Sequence, residues 1–257
     1  MSKPYPFISF SGVKKTFLTQ RGELVAALDS VTFAASANKI TCIVGPTGSG
    51  KSTLLRMAAG LETADSGTIA VNGREPFPSQ GIGYLTQEHS LFPWLRVKDN
   101  IGLPLDARGI TQSERDGQVV GIAAALGIAE ALERYPYELS GGMQRRTSFG
   151  RLIASGVRCW LMDEPFAALD DRTVHQMQRL LLRIAAEHGL TVLFITHSLD
   201  EAIFLADRII VLSAGPGRVI DQYDIGMEHP RNRLSSEFSR FLDTMRCRLE
   251  SVIEEAG

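Results

Sequence analysis

Residues 45–53, Gly45-Pro46-Thr47-Gly48-Ser49-Gly50-Lys51-Ser52-Thr53, constrain this chain more than any other segment. They follow the apolar run 39–44 and open a stretch with helical spacing over 51–59. A buried strand, a glycine-rich turn and a helix in that order give the pattern GxxxxGK[ST] the context it requires. The glycines let backbone N–H groups curl around an anion without side-chain clash, and the helix N-terminus adds partial positive charge. Lys51 is expected to reach the β- and γ-phosphates of a bound nucleotide, and the Ser52 hydroxyl to ligate Mg²⁺.

A metal held this way needs an acidic partner. The segment Cys159-Trp160-Leu161-Met162-Asp163-Glu164-Pro165 supplies one: an apolar strand with two acids at its C-terminal end. Ligands of open α/β sheets bind at such edges. Asp163 is expected to hold Mg²⁺, through water, and Glu164 to polarise an attacking water as general base.

Further strand-length apolar runs lie at 158–162, 191–196 and 208–213, with helical spacing at 142–154 and 172–187. Alternating strands and helices imply parallel strands covered on both faces. Residues 7–35 with 67–71 read as an antiparallel β region. The span 88–138 lacks strand patterns. Thr111-Gln-Ser-Glu114 reads there as a capping box whose helix ends near Gly127. A second short helix is expected over 128–134, stopping at Tyr135-Pro136. This span is expected to be a helical subdomain inserted in a single domain of 257 residues. Residues 218–257 are expected to extend the core, with a helix over 235–255.

Composition excludes several classes. Hydrophobic residues at 44% and charged residues at 22% are ordinary for a globular chain. A net charge of -2 gives no basic field for nucleic acid. Cys42, Cys159 and Cys247 are scattered and odd in number, which argues against a disulfide framework or zinc site and fits a reducing compartment. Residues 1–10 lack the apolar core of a secretory signal. No apolar run approaches the roughly 20 residues of a membrane span, so work at a membrane would need another chain to cross it.

Leu139-Ser140-Gly141-Gly142-Met143-Gln144-Arg145-Arg146 adds a second candidate anion site. Ser140 stands where an N-cap belongs, and the two glycines expose amides at a helix start; an ordinary capped helix looks the same. With the glycine loop and the Asp163-Glu164 strand, however, this segment resembles the signature motif of ABC-family ATPases. Gln87 after Tyr84-Leu85-Thr86, Ala168-Leu169-Asp170 and Thr196-His197 are similar to that family's Q-loop, D-loop and switch histidine, in the family's order. The resemblance covers nearly the whole chain. It implies a P-loop NTPase core of ABC type, α/β, with an antiparallel β region and an inserted helical subdomain.

The resemblance also implies roles. ATP lies on Gly45, Pro46, Thr47, Gly48, Ser49, Gly50, Lys51, Ser52 and Thr53, with Phe17 stacked on adenine. Mg²⁺ is held by Ser52, Gln87 and Asp163. Glu164, His197 and Gln87 are catalytic. Ser140, Gly141 and Gly142 act on ATP held by a second copy, and Asp170 belongs to the D-loop, so two identical subunits share two sites. From the residues alone, Phe17 reads equally as a core aromatic, His197 as a polar strand end before a Ser198–Glu201 capping box, and Gln87 carries almost no signal. Arg145 replaces a common glutamine, Asn38-Lys39 a common Gly-Glu, and Gly150 a usual alanine; none of these stands at a phosphate-contacting position.

Gln87-Glu88-His89-Ser90-Leu91-Phe92-Pro93-Trp94-Leu95-Arg96-Val97-Lys98-Asp99-Asn100 resembles the Q-loop of importer ATPases for nitrate, sulfonate and taurine. Ser213-Ala214-Gly215-Pro216-Gly217-Arg218, Pro230-Arg231-Asn232-Arg233 and Phe238 resemble the same branch. That implies a homodimeric ATP-hydrolysing subunit, peripheral on the cytoplasmic face of the cell membrane. Its partners would be an integral membrane permease and, indirectly, a solute-binding protein. Leu91, Phe92, Trp94 and Leu95 would form local core, a groove for a permease helix, or some of both. The competing reading is a soluble ABC-type ATPase with no permease.

Overall fold

The computed structural model describes residues 6–254 apart from 79–80, 88–89 and 168. Ala168, Glu88 and His89, named above, therefore lie outside the described residues, as do residues 1–5 and the last position of the helix expected over 235–255.

Two sheets form. Strands β1 (Pro6–Leu18), β2 (Leu24–Ser36) and β4 (Ser66–Val71) make an antiparallel sheet in the order β2-β1-β4. The larger sheet contains β3 (Ile40–Val44), β5 (Ile82–Leu85), β6 (Cys159–Asp163), β7 (Thr191–Ile195), β8 (Arg208–Leu212) and β9 (Val219–Asp224). Its order is β5-β6-β7-β3-β8-β9, with β9 alone antiparallel to its neighbour.

The central strands β3, β6, β7 and β8 are buried at every position except Arg208, and mostly apolar, because both faces are covered. Ile40, Cys42 and Val44 point into one core with Trp160, Met162, Val192 and Phe194. Ile43, Leu161, Leu193 and Ile210 point into the other, which α1 (Lys51–Ala58) shares with the antiparallel sheet through Leu54, Leu55 and Phe10. On the opposite face lie α2 (Val97–Ala107), α3 (Gln112–Ala125), α4 (Gly141–Ala154), α5 (Asp171–His188), α6 (Leu199–Leu205) and α7 (Ser236–Glu254).

Several local expectations change. Helix α2 and strands β5 and β9 have no counterpart in the sequence reading. The helix expected over 128–134 shrinks to one 3-10 turn at Ala129–Ala131. Thr111 does not close a capping box: its hydroxyl donates to the Glu114 carboxylate at 2.7 Å, and no side chain caps α3. The Ser198–Glu201 box forms by half. Ser198 Oγ accepts from Glu201 N at 3.3 Å, but the Glu201 carboxylate turns to the Thr196 hydroxyl at 2.5 Å. Gly150 has a packing reason, since a Cβ there would come 3.0 Å from Leu126 Cδ1 and 3.1 Å from Ile101 Cγ1. Among the described residues, no helix is long and apolar enough to cross a membrane.

Candidate functional site

Strands β5, β6, β7 and β3 run parallel and side by side, so their C-terminal ends meet at one edge of the sheet. That geometry brings together residues scattered along the sequence. Gln87 follows β5 by two positions, Glu164 follows β6 directly, His197 follows β7 by two, and the glycine loop follows β3. Phe17, Gly48, Lys51, Ser52, Glu164 and His197 line a cleft of about 530 Å³ there.

The loop's shape needs its glycines. Gly50 is the N-cap of α1 with φ of 81°, and a Cβ on it would lie 2.5 Å from Leu28 Cδ2 and 2.8 Å from the Ala27 carbonyl. Ser49 Oγ donates to the Pro46 carbonyl at 2.8 Å. Lys51 folds over the same loop, its Nζ donating to the carbonyls of Gly45 at 2.8 Å and Pro46 at 2.7 Å. Burial lowers the Lys51 pKa, and the nearby carboxylates of Glu164 and Asp163 oppose that. An ammonium held by neutral carbonyls is a movable cation: a phosphate would be a stronger partner than either of them.

Asp163 ends β6 with only 4% of its surface exposed. Burial pushes its pKa up, and a hydrogen bond from Ser52 pulls the other way. Its oxygen-only pairing with Ser52 suits a hard cation such as Mg²⁺, which is held by one or two protein oxygens plus phosphate oxygens. No group of three His, Cys, Asp or Glu side chains able to hold a metal exists among the described residues, so phosphate oxygens would complete such a site.

Glu164 is held under strain. Its φ of 47° is left-handed, which costs a residue bearing a Cβ on the order of 1–3 kcal/mol. Its N–H still donates to the Ile195 carbonyl at 3.1 Å, so the chain turns sharply while tied to β7. The turn presents the carboxylate to two side chains, His197 Nε2 at 2.7 Å from Oε1 and Gln87 Nε2 at 3.5 Å from Oε2. Phe17, half-buried at the cleft, is not a core aromatic.

Ser140, Gly141, Gly142 and Asp170 do not line this cleft. Ser140 caps α4, its Oγ accepting from Met143 N at 3.3 Å. Asp170 caps α5, accepting from Thr173 N at 3.0 Å and from the Thr173 hydroxyl at 2.7 Å.

The sequence reading missed the role of Arg145, five positions after the Ser140 cap. Its guanidinium is 1% exposed and donates only to backbone carbonyls: Nε to Pro165 at 2.9 Å, and Nη2 to Asp163 at 2.8 Å and Glu164 at 2.6 Å. Nη1 donates to Thr86 and, at 3.5 Å, to Gln87. One side chain thus ties α4 to the turns carrying Glu164 and Gln87. Burial pushes its pKa down to about 10, against the favourable charges of Asp163 and Glu164. An arginine at a helical position was the available signal, because a charge facing the core must find partners.

Two further supports emerge. Asn100, fully buried on α2, accepts from Phe92 N at 2.9 Å and donates to the carbonyls of Phe92, Leu95 and Arg96, which shapes the Pro93-Trp94 turn. The turn leaves Trp94 69% exposed, while Leu91, Phe92 and Leu95 are half-buried. The segment 213–218 packs against the glycine loop. Gly217 exchanges backbone hydrogen bonds with Ala27 and Asp29, each at 2.9 Å, and Arg218 pairs with Asp29. A Cβ on Gly217 would collide with the Ser49 carbonyl oxygen.

A glycine loop at the C-terminal edge of a parallel sheet, faced by the acids of a strand two places away with β7 between, defines a P-loop nucleotide-binding protein. The comparisons narrow this class: residues 28–167 match the family model described as ABC transporter, and the chain belongs to that family. It is 39% identical over 231 residues to a nitrate import ATP-binding protein of Synechocystis, covering 88% of this chain and 86% of the relative. It is 36% identical over 251 residues to an aliphatic sulfonates import ATP-binding protein of Bacillus thuringiensis, covering 97% of each. Among solved structures, an ATP-binding cassette dimer in a post-hydrolysis state with ADP and Pi superposes with a TM-score of 0.78. That match has 27% identity and covers 86% of this chain and 100% of the other.

Proposed function

We propose that this chain hydrolyses ATP to drive an ABC importer of nitrate, a sulfonate, taurine or a similar small solute. The observation that carries the reading is the convergence of Lys51, Glu164, His197 and Gln87 on one cleft. Lys51 leaves the loop carbonyls to hold the β- and γ-phosphates, with Gly45, Pro46, Thr47, Gly48, Ser49, Gly50, Ser52 and Thr53 supplying amides and hydroxyls, and Phe17 stacks on the base. Mg²⁺, when bound by Ser52, Gln87 and Asp163, neutralises charge on the phosphates. Glu164 takes a proton from the attacking water, and His197, already hydrogen-bonded to it, fixes the carboxylate's direction.

Ser140 and Gly141-Gly142 lie outside the cleft, which supports a role on the ATP of a second copy. Two subunits then close over two nucleotides and part when the γ-phosphate is lost, with Asp170 at the junction. We take residues 88–138 as the helical subdomain that moves with this cycle and 218–257 as an extension of the core. Exposed Trp94, on the turn that follows Gln87, supports contact with an integral membrane permease over a soluble ATPase acting alone. The subunit would then sit peripherally on the cytoplasmic face, with the solute arriving through a binding protein.

The test is recovery of the tagged chain from detergent-solubilised membranes, followed by assay of Mg²⁺-dependent ATP hydrolysis. The expected result is co-recovery of an integral membrane partner and turnover that Glu164→Gln abolishes while ATP binding persists. Wild-type turnover in that variant, or a partner set lacking any membrane protein, would overturn the reading.

A further inference from the structure

Away from the ATP cleft, a cavity of about 890 Å³ lies between α5 and the segment 229–234, with Phe204 of α6 in its wall. Its lining carries four arginines and two histidines and no acid, in a chain whose net charge is -2. Folding partners account for Arg231 and Arg233 but not for the arginines of α5. Arg179 and Arg183 stand four residues apart on α5, a spacing at which like charges repel. Arg179 and Arg183 are exposed and make no ion pair or hydrogen bond among the described residues.

The opposite wall is built around buried charge. Arg231 is 6% exposed and donates to three neutral carbonyls, those of Met227, Ile203 and Ala206, at 3.0, 2.5 and 2.6 Å. Arg233 donates to Asp200 at 2.5 Å and to Gln178 Oε1 at 2.7 Å, and stacks 3.7 Å over the Phe204 ring. Gln178 of α5, fully buried and outside the lining, thus serves to hold Arg233. Beside these cations the lining is apolar, through Leu182, Phe204 and a 93% exposed Leu234.

We propose that this cavity binds an organic anion carrying an apolar body. The acid group lies among Arg179, Arg183 and the 231–233 arginines, and the hydrocarbon covers Leu182 and Leu234. A compact inorganic anion would leave the apolar wall wet, and a neutral apolar molecule would leave the Arg179 and Arg183 guanidinium groups unanswered.

The experiment is calorimetric titration of the full chain with sodium 1-hexanesulfonate, in saturating ADP so that the phosphate loop is filled. Sulfate and 1-hexanol serve as controls for charge alone and grease alone. The exposed double variant Arg179→Ala/Arg183→Ala removes the unpaired cations without touching the ATP cleft. Hexanesulfonate is expected to bind at least tenfold more tightly than either control and to weaken as salt rises. The double variant should lose at least tenfold in affinity while its thermal unfolding stays unchanged. Equal affinity in the double variant, equal binding of sulfate or hexanol, or no binding would overturn the proposal. None of these outcomes bears on the ATPase reading, because turnover is not measured.

Discussion

Arg145→Met separates support of the Glu164 turn from nucleotide binding. Methionine keeps most of the stem's volume and loses every donor. Three of the lost bonds, at 2.6 to 2.9 Å, join a charged group to buried carbonyls; bonds of that kind contribute about 1.5–3 kcal/mol each. Against this, the variant no longer buries a guanidinium, which relieves several kcal/mol of desolvation. The net expectation is a loss of about 2–4 kcal/mol, or roughly 5–15 °C in Tm for a chain of this size. ATP affinity should change little, because no atom of Arg145 lines the cleft. Turnover should fall at least tenfold, because the Glu164 and Gln87 turns lose their common anchor. Arg145→Gln, shorter but still a donor, should recover part of both losses. Circular dichroism melts, titration with a fluorescent ATP analogue and a steady-state ATPase assay give the three readouts. An unchanged melt with full turnover, or a collapse of ATP affinity with turnover per bound nucleotide preserved, would refute the reasoning.

Gly217→Ala should force the glycine loop away from its Cβ and weaken ATP binding severalfold, at a stability cost of about 1–3 kcal/mol; isothermal titration checks the affinity and a melt the cost. Ser140→Ala removes a long cap bond worth about 0.5–1 kcal/mol. It should also cut turnover by much more than it cuts ATP affinity, as seen by comparing kcat with single-subunit binding. The raised pKa of Asp163 implies a pH effect of definite sign. Folding favours the protonated acid, so its stabilising contribution is present at low pH and is lost as pH rises through the raised value. Mg²⁺ needs the ionised form, so Mg²⁺-dependent ATP affinity should begin to fall, on acidification, at a higher pH than an ordinary aspartate would give; titration across pH with and without Mg²⁺ tests it.

The sequence made the parallel core legible because β3, β6, β7 and β8 are each apolar at four of five positions and bounded by turn chemistry. It located the cleft because the glycine loop and Asp163-Glu164 each carry a distinct pattern. Strand β5 was missed because four residues with a glycine at their centre show neither alternation nor an apolar run. Gly83 is there for contact, since a Cβ on it would strike Leu152. Helix α2 was missed because Pro104 and Gly102 interrupt its pattern, and Asn100 reads as surface although it is fully buried. The role of Arg145 was missed for a related reason: its partners are carbonyls, which leave no trace in side-chain identity.

The left-handed turn at Glu164 sets fold stability against chemistry at one residue. Glycine at 164 would relieve on the order of 1–3 kcal/mol of backbone strain and forfeit only a partly exposed hydrogen bond to His197 of about 0.5–1.5 kcal/mol. A population of these chains selected for thermal resistance alone should therefore drift toward glycine at that position. Heat selection followed by sequencing would then enrich for inactive proteins, so a screen for hardier variants must assay hydrolysis at every round.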